Sequence, residues 1–296
     1  MPPEWFPGAP DPHWHWLVVV ESFVAALATG AFLTAAFATL AGTSADRRAT
    51  RVGYWLSLPL ATVSGLLLTM DLYRPERFHH MLLQSARLPL PIFKPWSPMS
   101  LGSWALLLFG GLAFLFAVDA FLARRWGRDT ALLGGVLGKL VAIVGVLLAF
   151  LVAGYQGALV SVTSQPVWTQ SAWFTPLFVV SSVLAGLAVV ALFVPSDAAT
   201  TATKVRAAST WLIVAELVLL VAFLLSLGVM ARTYLSPAGL LVLGVGVVLV
   251  GLVAPLLLHR RDRGVGHASL AAPILTLLGV LALRYAIWMV PVGAIV

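Results

Sequence analysis

Polar residues in this chain fall into short clusters, and between them run eight nearly unbroken apolar stretches, at about 14–41, 52–70, 101–123, 132–160, 173–194, 207–230, 238–258 and 268–292. A helix needs about 20 apolar residues to cross a hydrocarbon core ~30 Å thick, and each stretch is near or above that length. Apolar and polar residues do not alternate within them, which argues against membrane-spanning strands. The first and fourth stretches are long enough to predict tilt or an interfacial extension. No connection is long enough to hold a soluble domain. The expected fold is an all-α integral membrane protein: one domain over residues 1–296, eight transmembrane helices, two four-helix bundles.

Composition agrees. Of the residues, 60% are hydrophobic and 10% charged, against roughly 25% charged in a soluble domain. The net charge of +7 would suggest nucleic acid, but its placement points to the membrane. Arg47, Arg48 and Arg51 follow the first stretch; Arg124, Arg125 and Arg128 the third; Lys204 and Arg206 the fifth; Arg260, Arg261 and Arg263 the seventh. The opposite face carries only Arg74, Arg77, Arg87, Lys94 and Arg232. The positive-inside rule puts the richer face in the cytoplasm and both termini on the non-cytoplasmic side. Met1 to Pro12 is Pro-rich and acidic and lacks the basic region of a cleavable signal, so the first stretch reads as a retained helix. The expected location is a bacterial-type cytoplasmic (inner) membrane.

The longest connection, Asp71 to Pro98, lies on the outer face and carries Arg74, Glu76, Arg77, His79 and His80 before a Pro-rich stretch. Connections of this length usually have a function, and Pro75 to Ser85 could form a short amphipathic surface helix. A solvated connector is the alternative. Phe23–Gly30 and Phe178–Gly186 share a pattern of Phe, small residues and Gly; small residues at helix contacts explain this as well as a duplication does.

Charges in hydrocarbon are costly and mark function or pairing. Glu21, Asp119, Lys139, Glu216 and Arg284 lie within the apolar stretches, and Asp71 closes the second. The topology puts Glu21, Asp71, Tyr155 and Arg284 in the outer half, on four helices. Few polar groups converging in apolar walls suit a small amphipathic ligand such as a quinone, with Glu21 exchanging a proton and Tyr155 hydrogen-bonding a carbonyl. The competing reading is a buried Glu21–Arg284 or Asp71–Arg284 ion pair that only pins helices. Asp119 and Lys139, both near the cytoplasmic ends, read first as a structural ion pair. Glu216, near mid-membrane, is the best candidate for a proton relay, with Asp119 and Lys139 as possible further stations.

There are no cysteines, which excludes thiolate zinc sites and cysteine-held iron–sulfur clusters in this chain; no metal site is expected. His13, His15, His79, His80, His259 and His267 lie at helix ends or in loops, whereas a membrane b-type haem needs histidines at depth. With no haem and no cluster, any redox role passes electrons between a bound quinone and a partner.

Three segments resemble one family. Asp71-Leu-Tyr-Arg-Pro-Glu-Arg-Phe78 followed by Ser97-Pro-Met-Ser-Leu-Gly-Ser-Trp104 resembles the paired signature of the NrfD-type membrane subunits of polysulfide reductase and its relatives. Gly154-Tyr-Gln-Gly through Trp168 is similar to that family's fourth helix and following loop, and Leu283-Arg-Tyr-Ala-Ile287 to its last helix. Their order and spacing cover nearly the whole chain.

The resemblance implies a subunit that exchanges electrons between menaquinone or ubiquinone and an iron–sulfur, ferredoxin-like partner. Through that partner it would serve a molybdopterin-type catalytic subunit or a cytochrome. It implies a quinone pocket near the docking face, lined by a polar first-helix residue and a fourth-helix tyrosine. Glu21 and Tyr155 match these, with His15, Asp71 and Arg284 as further binding candidates. Family members often carry Asn or His in the first helix where this chain has Val18 and Glu21. Arg74, Arg77, Ser97, Met99 and Trp104 would belong to the docking surface. The main rival function is a secondary transporter or proton channel with Asp119, Lys139 and Glu216 lining a path; the inverted repeats and broken helices common in transporters are not evident. A passive anchor is a third reading.

Overall fold

A computed structural model describes residues 16–72, 74–83, 91, 93–127, 130, 132–163, 166–193, 199–261 and 270–291. Eight helices are long and apolar enough to cross a membrane: α1 (Trp16–Ala41), α2 (Arg47–Met70), α3 (Pro98–Arg125), α4 (Gly135–Ser161), α5 (Phe174–Ala191), α6 (Ala199–Ser226), α7 (Pro237–Arg261) and α8 (Ala271–Met289). There is no strand among the described residues. The chain is a multi-pass membrane protein.

The helices form two four-helix bundles. In the first, α1 packs on α2 and α4, and α3 closes the ring between them. In the second, α5 packs on α6 and α8, and α7 completes the ring. The bundles meet mainly through α1 and α5, which run in the same direction because three crossings lie between them. These two helices are correspondingly the most buried.

Their contact explains the faint sequence repeat. Gly30 of α1 lies against Gly186 of α5, so closely that a Cβ on Gly186 would meet the Gly30 carbonyl carbon at 1.7 Å. Without apolar solvation to drive association, membrane helices gain stability from close backbone approach, and small residues permit it. Gly251 and Gly279 bring α7 and α8 together in the same way.

Phe32 of α1 centres the first bundle. Its ring meets Tyr54 of α2 at 5.3 Å, and Phe109 and Phe116 of α3 at 5.4 and 5.5 Å, all edge-on. From α4, Gly145 leaves room for the same ring. The second bundle is plugged at its Tyr234 end by aromatics. Phe223 packs edge-on against Phe174 and Tyr234, and Trp168 against Trp288.

Several helices start earlier than the hydropathy pattern predicts, because their first turns are polar and held by side chains. Ser97 caps α3, accepting from the Ser100 N–H, with Pro98 in the first turn; Pro is favoured there because its missing N–H would lack a partner anyway. At α2 and α6 a polar staple joins the two bundles on the arginine-rich face. Asp46 Oδ1 accepts from Thr201 at 2.9 Å, while Oδ2 accepts from the Thr43 N–H at 2.8 Å and Lys204 at 2.5 Å. Burial raises the proton affinity of the Asp46 carboxyl, but these donors outweigh it and hold the group down at about 2. Asp46→Ala is expected to lower stability in detergent by about 1–2 kcal/mol, through the donors left unpaired. Lys204→Met, at a half-exposed partner, should cost less. Thermal melts of the two variants check this; an equal loss would show that the ion pair itself, not the buried hydrogen bonds, supplies the staple.

In the long connection, Pro75–Met81 winds as one tight 3₁₀ segment rather than the longer surface helix expected from Pro75 to Ser85. Residues 84–90 lie outside the described set.

Candidate functional site

Glu21 lies on the second turn of α1 and is buried. Ser64 of α2 donates to its Oε1 at 2.9 Å, and the Gln156 side-chain amide of α4 donates to Oε2 at 3.0 Å. Three helices of the first bundle therefore converge on one carboxyl. Both partners are neutral. A serine hydroxyl can donate or accept, and an amide offers either function after rotation. The cradle thus accommodates carboxylate and carboxylic acid alike, which a proton-exchanging group requires.

Tyr155 adjoins Gln156 and lies close enough for the Glu21 charge to act on its phenol. Its ring covers Gly102 of α3, where a Cβ would lie 2.2 Å from the ring. The segment Ser97–Trp104 and the Gly154-Tyr-Gln segment are thus two halves of one structure: the glycine in one seats the tyrosine of the other. Among the described residues the Tyr155 hydroxyl makes no hydrogen bond. Asp71, at the end of α2, also acts on Glu21 electrostatically.

Arg284 of α8 is fully buried in the second bundle. Its Nη2 donates to Ser181 and Ser182 of α5 at 2.9 and 3.0 Å and to the Phe178 carbonyl at 3.2 Å. The guanidinium carbon lies 3.8 Å from the Phe178 ring centroid, a favourable cation–π arrangement. Neither expected ion pair forms: Arg284 bonds α5 rather than Glu21 or Asp71, because Ser181 and Ser182 lie directly across the bundle. It remains within electrostatic range of Glu21 and Glu216. Glu216 of α6 is buried, and neither of its oxygens nor the Nε and Nη1 of Arg284 has a hydrogen-bond partner among the described residues.

Other expected roles change. Asp119 accepts from the backbone N–H groups of Leu132 and Leu133, tying α3 to the start of α4. Lys139 is exposed, on the α4 face that carries Val136, Leu140 and Ile143. The Asp119–Lys139 ion pair is not formed among the described residues: Lys139 is exposed on the first bundle, whereas Glu216 is buried in the second. Ser97 is the α3 cap described above, so its hydroxyl is engaged in holding the helix end. Trp104 is half-buried, while Arg74, Arg77 and Met99 are exposed and remain available to a partner. His15 lies outside the described residues.

The residues that the sequence did not single out are the supports. Ser64 is a lone hydroxyl in an apolar helix, and Gln156 merely follows the tyrosine. Trp288 donates to Ser22 Oγ at 3.1 Å, and Trp168 to the Ile287 carbonyl at 3.1 Å. These two contacts fasten α8 to α1 and to the segment after α4.

Residues 8–294 match the family described as "Polysulphide reductase, NrfD". No curated protein matches the chain. With nearly its whole length matched, the chain belongs to the NrfD family.

Proposed function

From membership of this family of reductase-complex membrane subunits, we propose that the chain exchanges electrons between a membrane quinone, menaquinone or ubiquinone, and an iron–sulfur partner subunit. That partner serves a molybdopterin-type catalytic subunit or a cytochrome. The setting is a bacterial-type inner membrane, with the Glu21 end of the bundles on the non-cytoplasmic side. The observation that carries the reading is the Glu21 carboxyl, buried at three converging helices on neutral donors and flanked by Tyr155, whose hydroxyl makes no hydrogen bond among the described residues.

When bound, a quinol supplies two electrons and two protons. The two electrons would leave to the iron–sulfur partner. Glu21 would accept one proton at its carboxylate, held in position by Ser64 and Gln156, and the other proton would pass to water at the non-cytoplasmic end. Tyr155 orients the ligand by donating its hydroxyl. Arg74, Arg77 and Met99 lie on the exposed surface toward the same end and supply contacts for the partner. Purified with its partner subunits, the Tyr155→Phe complex is expected to assemble and to lose quinol-linked turnover by about tenfold, the worth of one orienting hydrogen bond to the ligand. Unchanged turnover would remove Tyr155 from the site.

One observation favours proton movement through the second bundle as well: Glu216 and the Nε–Nη1 edge of Arg284 are buried within electrostatic range of one another and, among the described residues, without hydrogen-bond partners. Unpaired groups at such depth are expensive and are usually satisfied by internal water, which also conducts protons. Glu216→Gln is expected to abolish proton uptake coupled to turnover in proteoliposomes while leaving quinol oxidation within about twofold of wild type, as expected for a group outside the proton-transfer site. Retained coupling would leave Glu216 a structural residue.

A further inference from the structure

The arginine-rich face carries a feature that quinone exchange does not use. Arg124, near the end of α3, holds its guanidinium 5.5 Å from the ring centroid of Trp55 on α2. Arg51 lies four residues before Trp55, hence on the same face of α2 and one turn nearer the surface. Arg125 follows on α3 and is exposed. Among the described residues, neither Arg51 nor Arg124 forms an ion pair. Among the described residues, two acids on this face are engaged elsewhere: Asp46 with Lys204 and Thr201, Asp119 with the α3–α4 connection. Below the arginines, Trp55 and Phe121 are exposed at 36% and 56%, on the surface that meets lipid.

We propose that the α2–α3 groove on this face is a binding site for one anionic phospholipid. Arg51 and Arg124 take the phosphate, and Trp55 and Phe121 pack against the first segment of the acyl chains. A membrane-interface tryptophan that fixes a guanidinium lowers the entropy lost on binding, and guanidinium forks match phosphate oxygens bidentately. Basic pockets between transmembrane helices recognise acidic head groups. Charge complementarity selects the occupant: the groove presents cations without an ion-pair partner among the described residues, immediately above apolar surface, which suits a lipid phosphate and not an apolar helix.

The test uses the full-length chain, delipidated in mild detergent and titrated with phosphatidylglycerol or phosphatidylcholine, with bound lipid counted by native mass spectrometry. Wild type is expected to retain one phosphatidylglycerol in preference to phosphatidylcholine. The Arg51→Gln, Arg124→Gln double variant should bind it about 30-fold more weakly, from roughly fivefold per arginine near an acidic head group. Trp55→Leu, which leaves all charges in place, should weaken it severalfold, and free phosphate should not compete. Arg260→Gln, Arg261→Gln, equally basic but remote from Trp55, should bind as wild type does. Equal retention of both lipids by wild type, displacement by phosphate, or an equal loss in the Arg260/Arg261 variant would overturn the site.

Discussion

Glu21→Gln is expected to lower quinol-linked turnover of the assembled complex by about 10²–10⁴-fold, the usual worth of a positioned proton-transfer group, with little loss of stability. The two effects separate because of the cradle. Glutamine has the same shape and keeps one oxygen, so Ser64 or Gln156 can still donate to it, and rotation of the Gln156 amide or the Ser64 hydroxyl satisfies the new N–H groups. Only the ability to take a proton is lost. Turnover is measured on the purified complex with a soluble quinol, assembly by size-exclusion chromatography and folding by thermal melt. An assembled, stable Glu21→Gln complex turning over within twofold of wild type would rule out Glu21 as the proton acceptor. Ser64→Ala separates positioning from proton transfer: it removes one hydrogen bond and should cost far less turnover than Glu21→Gln.

Gly186→Val is expected to have the largest effect on the fold. Any Cβ at this position overlaps the backbone of α1 at Gly30, so relief requires the α1–α5 axes to separate. Backbone cannot move aside as a flexible side chain can. The cost is placed at about 3 kcal/mol or more, the upper end of overpacking penalties, together with lost packing on both sides of the bundle interface. The variant should yield little monodisperse protein. Gly110→Ala supplies the contrast: nothing lies within 4 Å of its Cβ position, and helical alanine is favoured over glycine by about 1 kcal/mol, so this variant should melt at or above wild type. Wild-type behaviour of Gly186→Val would show that the bundles do not depend on this crossing. Because Gly30 and Gly186 lie near the middle of their helices, the crossing also fixes how α1 presents Glu21 to α2 and α4.

The eight spanning helices were legible from sequence because the bilayer imposes one simple condition, a long apolar run that satisfies its own backbone hydrogen bonds. The buried ionisable residues were legible for the same reason, since each stands out against hydrocarbon. Helix starts were less legible. The first turns of α2, α3 and α6 are polar, and what holds them, Asp46 with Lys204 and Thr201, or Ser97 with Ser100, involves positions that hydropathy scores as loop.

Which buried groups meet was decided only by the tertiary structure. Sequence places Glu21, Tyr155 and Arg284 at similar depth on three helices, and depth alone allows a Glu21–Arg284 ion pair. Rotation of each helix about its axis, set by small-residue contacts such as Gly30–Gly186 and Gly102–Tyr155, instead turns Glu21 toward Ser64 and Gln156 and Arg284 toward Ser181 and Ser182. A helix presents a given residue to a different neighbour for every ~100° of rotation, and nothing in the apolar pattern of a helix buried on most sides reports that angle. By itself, then, the sequence determined the solvent, the number of crossings and the chemical groups available. Packing of small residues against backbone and aromatic rings determined which of those groups share a site.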